Sequence, residues 1–212
     1  MTRGRDRMKA LNRHRKHQSA ELLISITAEL RSGLSLLAQL LGTPAGELSS
    51  HQEELLGLEG RTMDLHFNLM THIRSVFLTP LPRQDIFAIS QQLNRTMEHV
   101  VAAGDLILRR KGLELPKEAA EMLESLTRQA ELTGEAMGRL EDFDHLEEYW
   151  VQLQRLSKQA NRRHRDWVTS TDSAFQPNIA QQQAQLADQI LAAVHSLRQV
   201  AAICGSIIVR ES

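Results

Sequence analysis

Carboxylate and imidazole side chains fall on two consecutive predicted helices. Counted from the start of the chain, these are the second helix, which ends near residue 76, and the third helix, which covers about 83–111. Glu59 and Asp64 belong to the second helix, and Glu98 and His99 belong to the third. Oxygen and imidazole nitrogen are ligands for iron, zinc and manganese, so these four side chains could hold one ion between the two helices. A solvated helix face is the alternative interpretation, because any charged helix offers such pairs.

Three further histidines, His66, His164 and His195, are candidates for metal ligands or pH switches, because imidazole changes its charge at about pH 6.5. His164 falls on the apolar stripe of its predicted helix, where a core histidine with a hydrogen-bond partner is the simpler interpretation.

The sequence contains no Gly-rich phosphate loop, no Gly-x-Ser-x-Gly and no His-Glu-x-x-His. We therefore predict that the protein is not an enzyme.

The first 18 residues form a basic segment with seven Lys or Arg residues, among them Arg3, Arg5 and Arg7, against the single acid Asp6. Blocks of like charge are solvated tails or interaction tails. A tail without a specific partner and a tail for an acidic protein or a membrane surface both stay open. The segment lacks the aromatic side chains that bind single-stranded nucleic acid, and the whole chain has a net charge of −1. We predict no nucleic-acid partner.

The composition of the 212 residues favours a helical bundle with a sizeable core. Hydrophobic residues make up 42 % and aromatic residues only 4 %, so Leu, Ala and Met must supply most of the packing.

Cys204 is the single cysteine, which excludes an internal disulfide and a cysteine-based metal motif. No apolar run approaches the roughly 20 residues of a membrane span, and the basic start lacks the apolar core of a secretory signal. We expect a cytoplasmic protein without a transmembrane segment.

Apolar residues recur at helical spacing in six long segments, and no segment alternates like a strand. The first helix is predicted from about Lys9 to Leu41. Turn and breaker residues separate the segments at Gly42-Thr43-Pro44, Pro80 to Pro82, Gly112, near Glu141, and Phe175-Gln176-Pro177. The sequence therefore predicts an all-α protein of six long helices.

The segment from Phe77 to Phe87 is the sharpest break, because it contains two prolines between two helical stripes. We expect the corner of a helical hairpin here, with Phe77 packed into the first three helices. Asp85 should lie in the first turn of the third helix, where free N–H groups favour an acid. Arg83 should be exposed or paired with a carboxylate, because a lone buried guanidinium is costly.

A second aromatic–proline corner occurs at 175–177, and a histidine precedes each corner by eleven residues: His66 precedes Phe77, and His164 precedes Phe175. This spacing indicates an internal repeat of about 100 residues, with chance as the alternative. A repeat would divide the six helices into two related sets of three.

The first corner resembles the PhoU-like phosphate transport regulators, and within them the branch of accessory proteins of Pit-type inorganic phosphate transporters. That branch typically has Phe-(Ile/Leu)-Thr-Pro, then a hydrophobic residue, Asp, Arg, Glu and Asp-Ile. The residues here are Phe77-Leu78-Thr79-Pro80-Leu81-Pro82-Arg83-Gln84-Asp85-Ile86. Pro82 and Gln84 are departures from the family pattern. The sharp motif covers these residues alone, whereas the number and lengths of the helices match over nearly the whole chain.

The resemblance implies two three-helix bundles side by side, which we place at 19–112 and 113–212 after a basic arm at 1–18. It also implies a non-enzymatic regulator that binds a membrane phosphate transporter or a signalling protein through its helix faces, at the membrane surface. The candidate partner contacts are Arg83, Asp85, Arg3, Arg5 and Arg7. A dimeric helical scaffold is an alternative.

Members of this family carry Glu/Asp-xxx-Asp pairs on the middle and last helix of each bundle, and these pairs bind clusters of iron or zinc. The matching positions here are Glu59-xxx-Met63, Asn94-xxx-Glu98, Ser157-xxx-Asn161 and Leu191-xxx-His195. Most of the carboxylates are therefore missing. The thioether of Met63 is a poor ligand for a hard cation. We expect no cofactor, with iron or zinc at Glu59, Asp64, Glu98 and His99 as the alternative.

Overall fold

The computed structural model describes the backbone of residues 2–43, 51–76, 79, 81–109, 115–174 and 177–211, and these residues contain helices and no strand. Side chains are described over the same ranges, except at 2–17, 172–174 and 211. The helices are α1 (Thr2–Gly42), α2 (Gln52–Ser75), α3 (Arg83–Leu108), α4 (Lys117–Met137), α5 (Phe143–Ala174) and α6 (Pro177–Glu211). The predicted all-α class is confirmed.

The helices end close to the residues that predicted their boundaries. Helix α1 ends at Gly42, and α2 ends at Ser75, after which Val76 is extended. Pro82 precedes the first residue of α3 with an extended backbone. Pro177 opens α6, where its missing N–H costs nothing, because the first turn has no acceptor for that donor.

Helix α1 begins earlier than predicted, at Thr2 rather than near Lys9. The basic segment is therefore helical and continuous with the first helix. Apart from Gly4 the segment contains no helix breaker, and its Arg, Lys, Met and Leu residues have high helix propensity. The side chains of this segment lie outside the described residues.

The helices lie in two layers. Helices α2, α3, α6 and α5 form a four-helix layer in that order, because α2 contacts α3, α3 contacts α6, and α6 contacts α5. Helices α1 and α4 form the second layer: α1 packs on α2 and α3, α4 packs on α5 and α6, and α1 contacts α4. Each of the first three helices thus contacts the other two, as do the last three, and the two sets meet along α1–α4 and α3–α6.

The two sets of helices are antiparallel where they meet. In the α3–α6 seam His99 contacts Gln189, and Asp85, which comes earlier in α3, contacts Arg210, which comes later in α6. The same antiparallel order holds between α1 and α4. Antiparallel order at both seams is compatible with an approximate two-fold axis perpendicular to the helices.

Among the described residues, one hydrophobic core joins helices α1 to α6 and consists mainly of Leu, Ile, Val, Ala and Met side chains. Its two largest fully buried side chains, Trp167 and Tyr149, have their polar atoms paired. Trp167 Nε1 donates to Gln183 Oε1 at 2.9 Å, and the Tyr149 hydroxyl lies 3.0 Å from Thr133 Oγ1. These bonds offset the cost of burying the polar atoms. Cys204 is also fully buried, and burial raises the pKa of its thiol to about 12.

Helix α6 is long and apolar enough to cross a membrane, with an 18-residue window of mean hydropathy 1.5 in Pro177–Arg210. Length and composition alone are weak support for a membrane span, because core helices of globular proteins pass the same test. Here α6 packs against α3, α4 and α5, and 44 % of the window is buried inside the fold. The absence of a transmembrane segment stays a prediction.

The first turn of α3 is joined to the last turn of α6. Asp85 lies in the first turn of α3, as predicted, but only 8 % of it is exposed. Its Oδ2 accepts a hydrogen bond from Arg210 Nη2, so this ion pair links the first set of helices to the second. Arg83 is exposed, as predicted, and donates to the backbone carbonyl of Val76. The predicted packing of Phe77 lies outside the described residues.

We expect Arg210→Ala to destabilise the protein by about 1–3 kcal/mol, because a buried carboxylate loses its charged partner. Asp85→Asn should cost less, since the side chain of Arg210 is 49 % exposed and water can solvate it. Urea denaturation of both single variants and the double variant measures the coupling free energy.

Arg109→Ala is the matched control for this pair. Arg109, the residue after the end of α3, also bonds an aspartate, Asp105, but both side chains are exposed and belong to the same helix end. Exposed pairs contribute little, so this change should leave the stability nearly unaltered. If Arg210→Ala is equally harmless, the α3–α6 ion pair does not stabilise the fold.

Candidate functional site

Four histidines of the four-helix layer make contacts between neighbouring helices. They are His66 in α2, His99 in α3, His195 in α6 and His164 in α5. Each ring contacts a side chain of a neighbouring helix, so each lies at a seam between two helices. We call these four histidines and their partners across the seams the histidine face.

Two of the histidines occupy equivalent positions in the two sets of helices. His66 Nδ1 lies 3.1 Å from Ser90 Oγ across the α2–α3 seam, and His164 Nε2 lies 2.7 Å from Asp188 Oδ1 across the α5–α6 seam. The partners are 24 residues apart in both pairs. The second pair lies 98 residues after the first, from His66 to His164 and from Ser90 to Asp188. This repeated contact supports the internal repeat that the sequence indicated.

The other two histidines face side-chain amides. His99 Nδ1 lies 3.0 Å from Gln189 Oε1 in the α3–α6 seam. His195 Nε2 lies 3.2 Å from Asn161 Nδ2, whose amide also donates to the carbonyl of Ser157 at 2.7 Å. An amide nitrogen can only donate, so Nε2 of His195 accepts and that ring is neutral. Gln189 accepts, so Nδ1 of His99 carries a proton.

The surroundings favour the neutral form of two of the rings. Burial lowers the pKa of His66, and the negative charge of Glu98 partly opposes this effect. Burial also lowers the pKa of His195, and the positive charges of Arg198 and His164 lower it further. Both rings are therefore neutral at pH 7 and gain positive charge only on acidification.

The four predicted metal ligands do not converge on one point. Glu98 accepts a hydrogen bond from Asn94 of its own helix at 2.7 Å, whereas His99 is turned towards α6. Glu59 is half-buried, and Asp64, five residues further on, is exposed about 140° around the helix. Within the described ranges, no group of three or more His, Cys, Asp or Glu side chains is arranged to hold a metal ion.

The predicted partner contacts lie in different environments. Arg83 is exposed at the start of α3. The carboxylate of Asp85 is already bonded within the fold, to an arginine of α6. The side chains of Arg3, Arg5 and Arg7 lie outside the described residues.

Sequence patterns did not single out Ser90, Asp188 or Gln189, although each contacts a histidine of this face. The spacing of the repeat could have found the first two, because His66 and His164 already define an offset of 98 residues. No comparable sequence signal exists for Gln189, whose contact with His99 depends on how the two sets of helices pack.

The histidine face can recognise a polar or anionic group. Neutral imidazole and amide groups offer both hydrogen-bond donors and acceptors. Acidification adds positive charge at the seams, which would strengthen binding to an anion.

Comparison with known proteins does not assign a family. No protein-family model matches the sequence, and no curated protein matches it. The function is therefore inferred from the residues and their geometry.

We expect the protein to lose stability as the pH falls below about 6.5. Histidines of the unfolded chain take up protons near this pH, whereas folded His66 and His195 take them up only at lower pH. Below about pH 6.5 the unfolded state therefore binds more protons than the folded state. The contribution of the two neutral rings to the free energy of unfolding is complete above about pH 6.5 and declines as the pH falls towards the pKa values of the folded state.

Urea denaturation at about pH 7.5 and about pH 5.5 measures this loss. The double variant His66→Asn, His195→Gln lacks both titrating rings and should lose less stability between the two pH values. An equal loss in the double variant would show that other groups cause the pH dependence.

Proposed function

We propose that this protein is a PhoU-like accessory regulator of inorganic phosphate transport that acts by binding and without catalysis. It binds a membrane phosphate transporter or a signalling protein at the cytoplasmic face of the membrane through its helix faces. The observation that carries the proposal is the corner at 77–86, whose residues resemble those of the Pit-transporter accessory branch.

The arrangement of the helices supports the proposal, because the resemblance implies two three-helix bundles side by side. The helices here fall into two mutually contacting sets of three, which meet in antiparallel order. Equivalent histidine contacts 98 residues apart are what two related bundles would contain.

The positions that match the family's metal-binding pairs depart from the family pattern, although two of them are in contact. Asn161 of α5 and His195 of α6 occupy two of these positions, and their side chains meet at 3.2 Å across one seam. Metal-binding members would use the same seam for carboxylates. An amide and an imidazole keep the seam polar but remove the hard oxygen ligands, so this protein works through its surface and without a metal cluster.

Affinity capture from detergent-solubilised cells tests the proposal. Tagged wild-type protein should recover a phosphate transporter or a signalling protein that controls one, and its gene should lie beside a phosphate transporter gene. A wild-type protein that recovers neither kind of partner would contradict the proposal.

A substitution at the corner tests where the partner binds. Arg83→Ala removes an exposed charge and should lower capture by about tenfold or more while the melting temperature stays unchanged. Arg128→Ala is the matched control, because Arg128 is an exposed arginine of α4 in the opposite layer. Equal capture by both variants would place the contact elsewhere.

A further inference from the structure

Helix α2 carries an apolar stripe on the side that faces neither α1 nor α3. It consists of Leu56, Met63 and Phe67, whose exposed fractions are 56, 57 and 69 %. Gly60 lies among them, and a Cβ atom at Gly60 would meet nothing within 4 Å. At about 100° per residue the four positions span only about 60° around the helix. They form one continuous surface, which we call the α2 stripe.

The fold itself does not require an apolar surface at these positions. The residues 98 positions later lie on α5, the matching helix of the second set, and all of them are polar: Gln154, Lys158, Asn161 and Arg165. Polar side chains are therefore compatible with this place in the fold. Contiguous exposed apolar residues mark contact sites, so the α2 stripe has a role that the α5 surface lacks.

The two ends of the stripe carry opposite charges. Glu53 is exposed one turn before Leu56, and Arg74 is exposed two turns after Phe67. Both charges lie on the same side of α2 as the stripe. A helix with an acidic end and a basic end on one side is complementary to a second copy of itself that runs in the opposite direction.

We propose that the α2 stripe is a homodimer interface, in which the α2 helices of two copies pack antiparallel about a two-fold axis between Met63 and Asp64. In this register Phe67 of each copy lies over Gly60 of the other and fills the space that the glycine leaves open. Glu53 of each copy then faces Arg74 of the other. The aromatic contact and the charge contact have the same midpoint in the sequence, so one axis satisfies both.

A second copy fits the stripe better than a membrane surface. A helix that lies on anionic lipid carries several Lys and Arg residues beside its apolar side, whereas the acids Glu53 and Asp64 border this stripe together with Arg74. Two-fold pairing of identical surfaces is also the commonest symmetry of oligomers. A single pair of helices is a small interface, so the dimer should form in a concentration-dependent equilibrium. The inference does not depend on the proposed function, because no stripe residue belongs to the corner at 77–86.

Sedimentation equilibrium of the full chain tests the proposal. Wild-type protein should show a monomer–dimer equilibrium, and Phe67→Glu or Met63→Glu should raise the dimer dissociation constant by at least about tenfold. Both side chains are exposed, so neither change should alter the melting temperature of the monomer. Val209→Glu is the matched control, because Val209 is an apolar residue of α6 with 80 % exposure outside the stripe.

Charge reversal tests the antiparallel register. Glu53→Arg and Arg74→Glu should each weaken the dimer, and the double variant should recover most of the lost affinity, because the two charges then face each other with their signs exchanged. Recovery distinguishes a contact between Glu53 and Arg74 from an effect of net charge.

Cross-linking tests the position of the axis. Met63→Cys places two thiols beside the two-fold axis and should give a covalent dimer on mild oxidation, faster than Val209→Cys. A monomeric wild-type protein at several hundred micromolar overturns the proposal, as does a dimer that Phe67→Glu and Met63→Glu leave intact. Loss of lipid-vesicle binding in these variants of a monomeric protein would assign the stripe to a membrane surface instead.

Discussion

The seam between α3 and α6 is the contact on which the rest of the structure depends. It joins the two sets of helices within the four-helix layer. The His99–Gln189 contact and the Asp85–Arg210 ion pair fix the register of this seam at two places. One helical turn is about 5.4 Å long, so a slip of a single turn would break both contacts and displace the two halves of the histidine face.

Much of the fold could be predicted, because helix boundaries depend on residues at the boundaries themselves. Gly42, Pro82 and Pro177 act on their own backbone, and the structure has helix ends beside each of them. The start of α1 was predicted too late, because the basic block was treated as a tail although its residues favour a helix. The order of the helices in the layer could not be derived, since it depends on surfaces that are far apart in the sequence.

The candidate site could be predicted only in part, for the same reason. His66, His164 and His195 stood out in the sequence, but their partners lie 24 or 34 residues away, and the partner of His99 lies 90 residues away. The preference for an acid in the first turn of a helix predicted the position of Asp85 but not its partner. That partner, Arg210, lies 125 residues further along the chain. The apolar spacing of the second helix includes Leu56, Met63 and Phe67, whereas the structure leaves all three side chains exposed.

The buried Cys204 can serve as a probe of local opening of the fold. Cys204 lies in α6 with no exposed surface, and its thiol has a pKa of about 12. Thiol reagents attack the thiolate, so the closed protein is protected both by lack of access and by lack of the reactive form. Labelling then requires α6 to separate from its neighbours, and the labelling rate counts how often the centre of the four-helix layer opens without global unfolding. The labelling rate of Cys204 thus reports how often α6 separates from its neighbours.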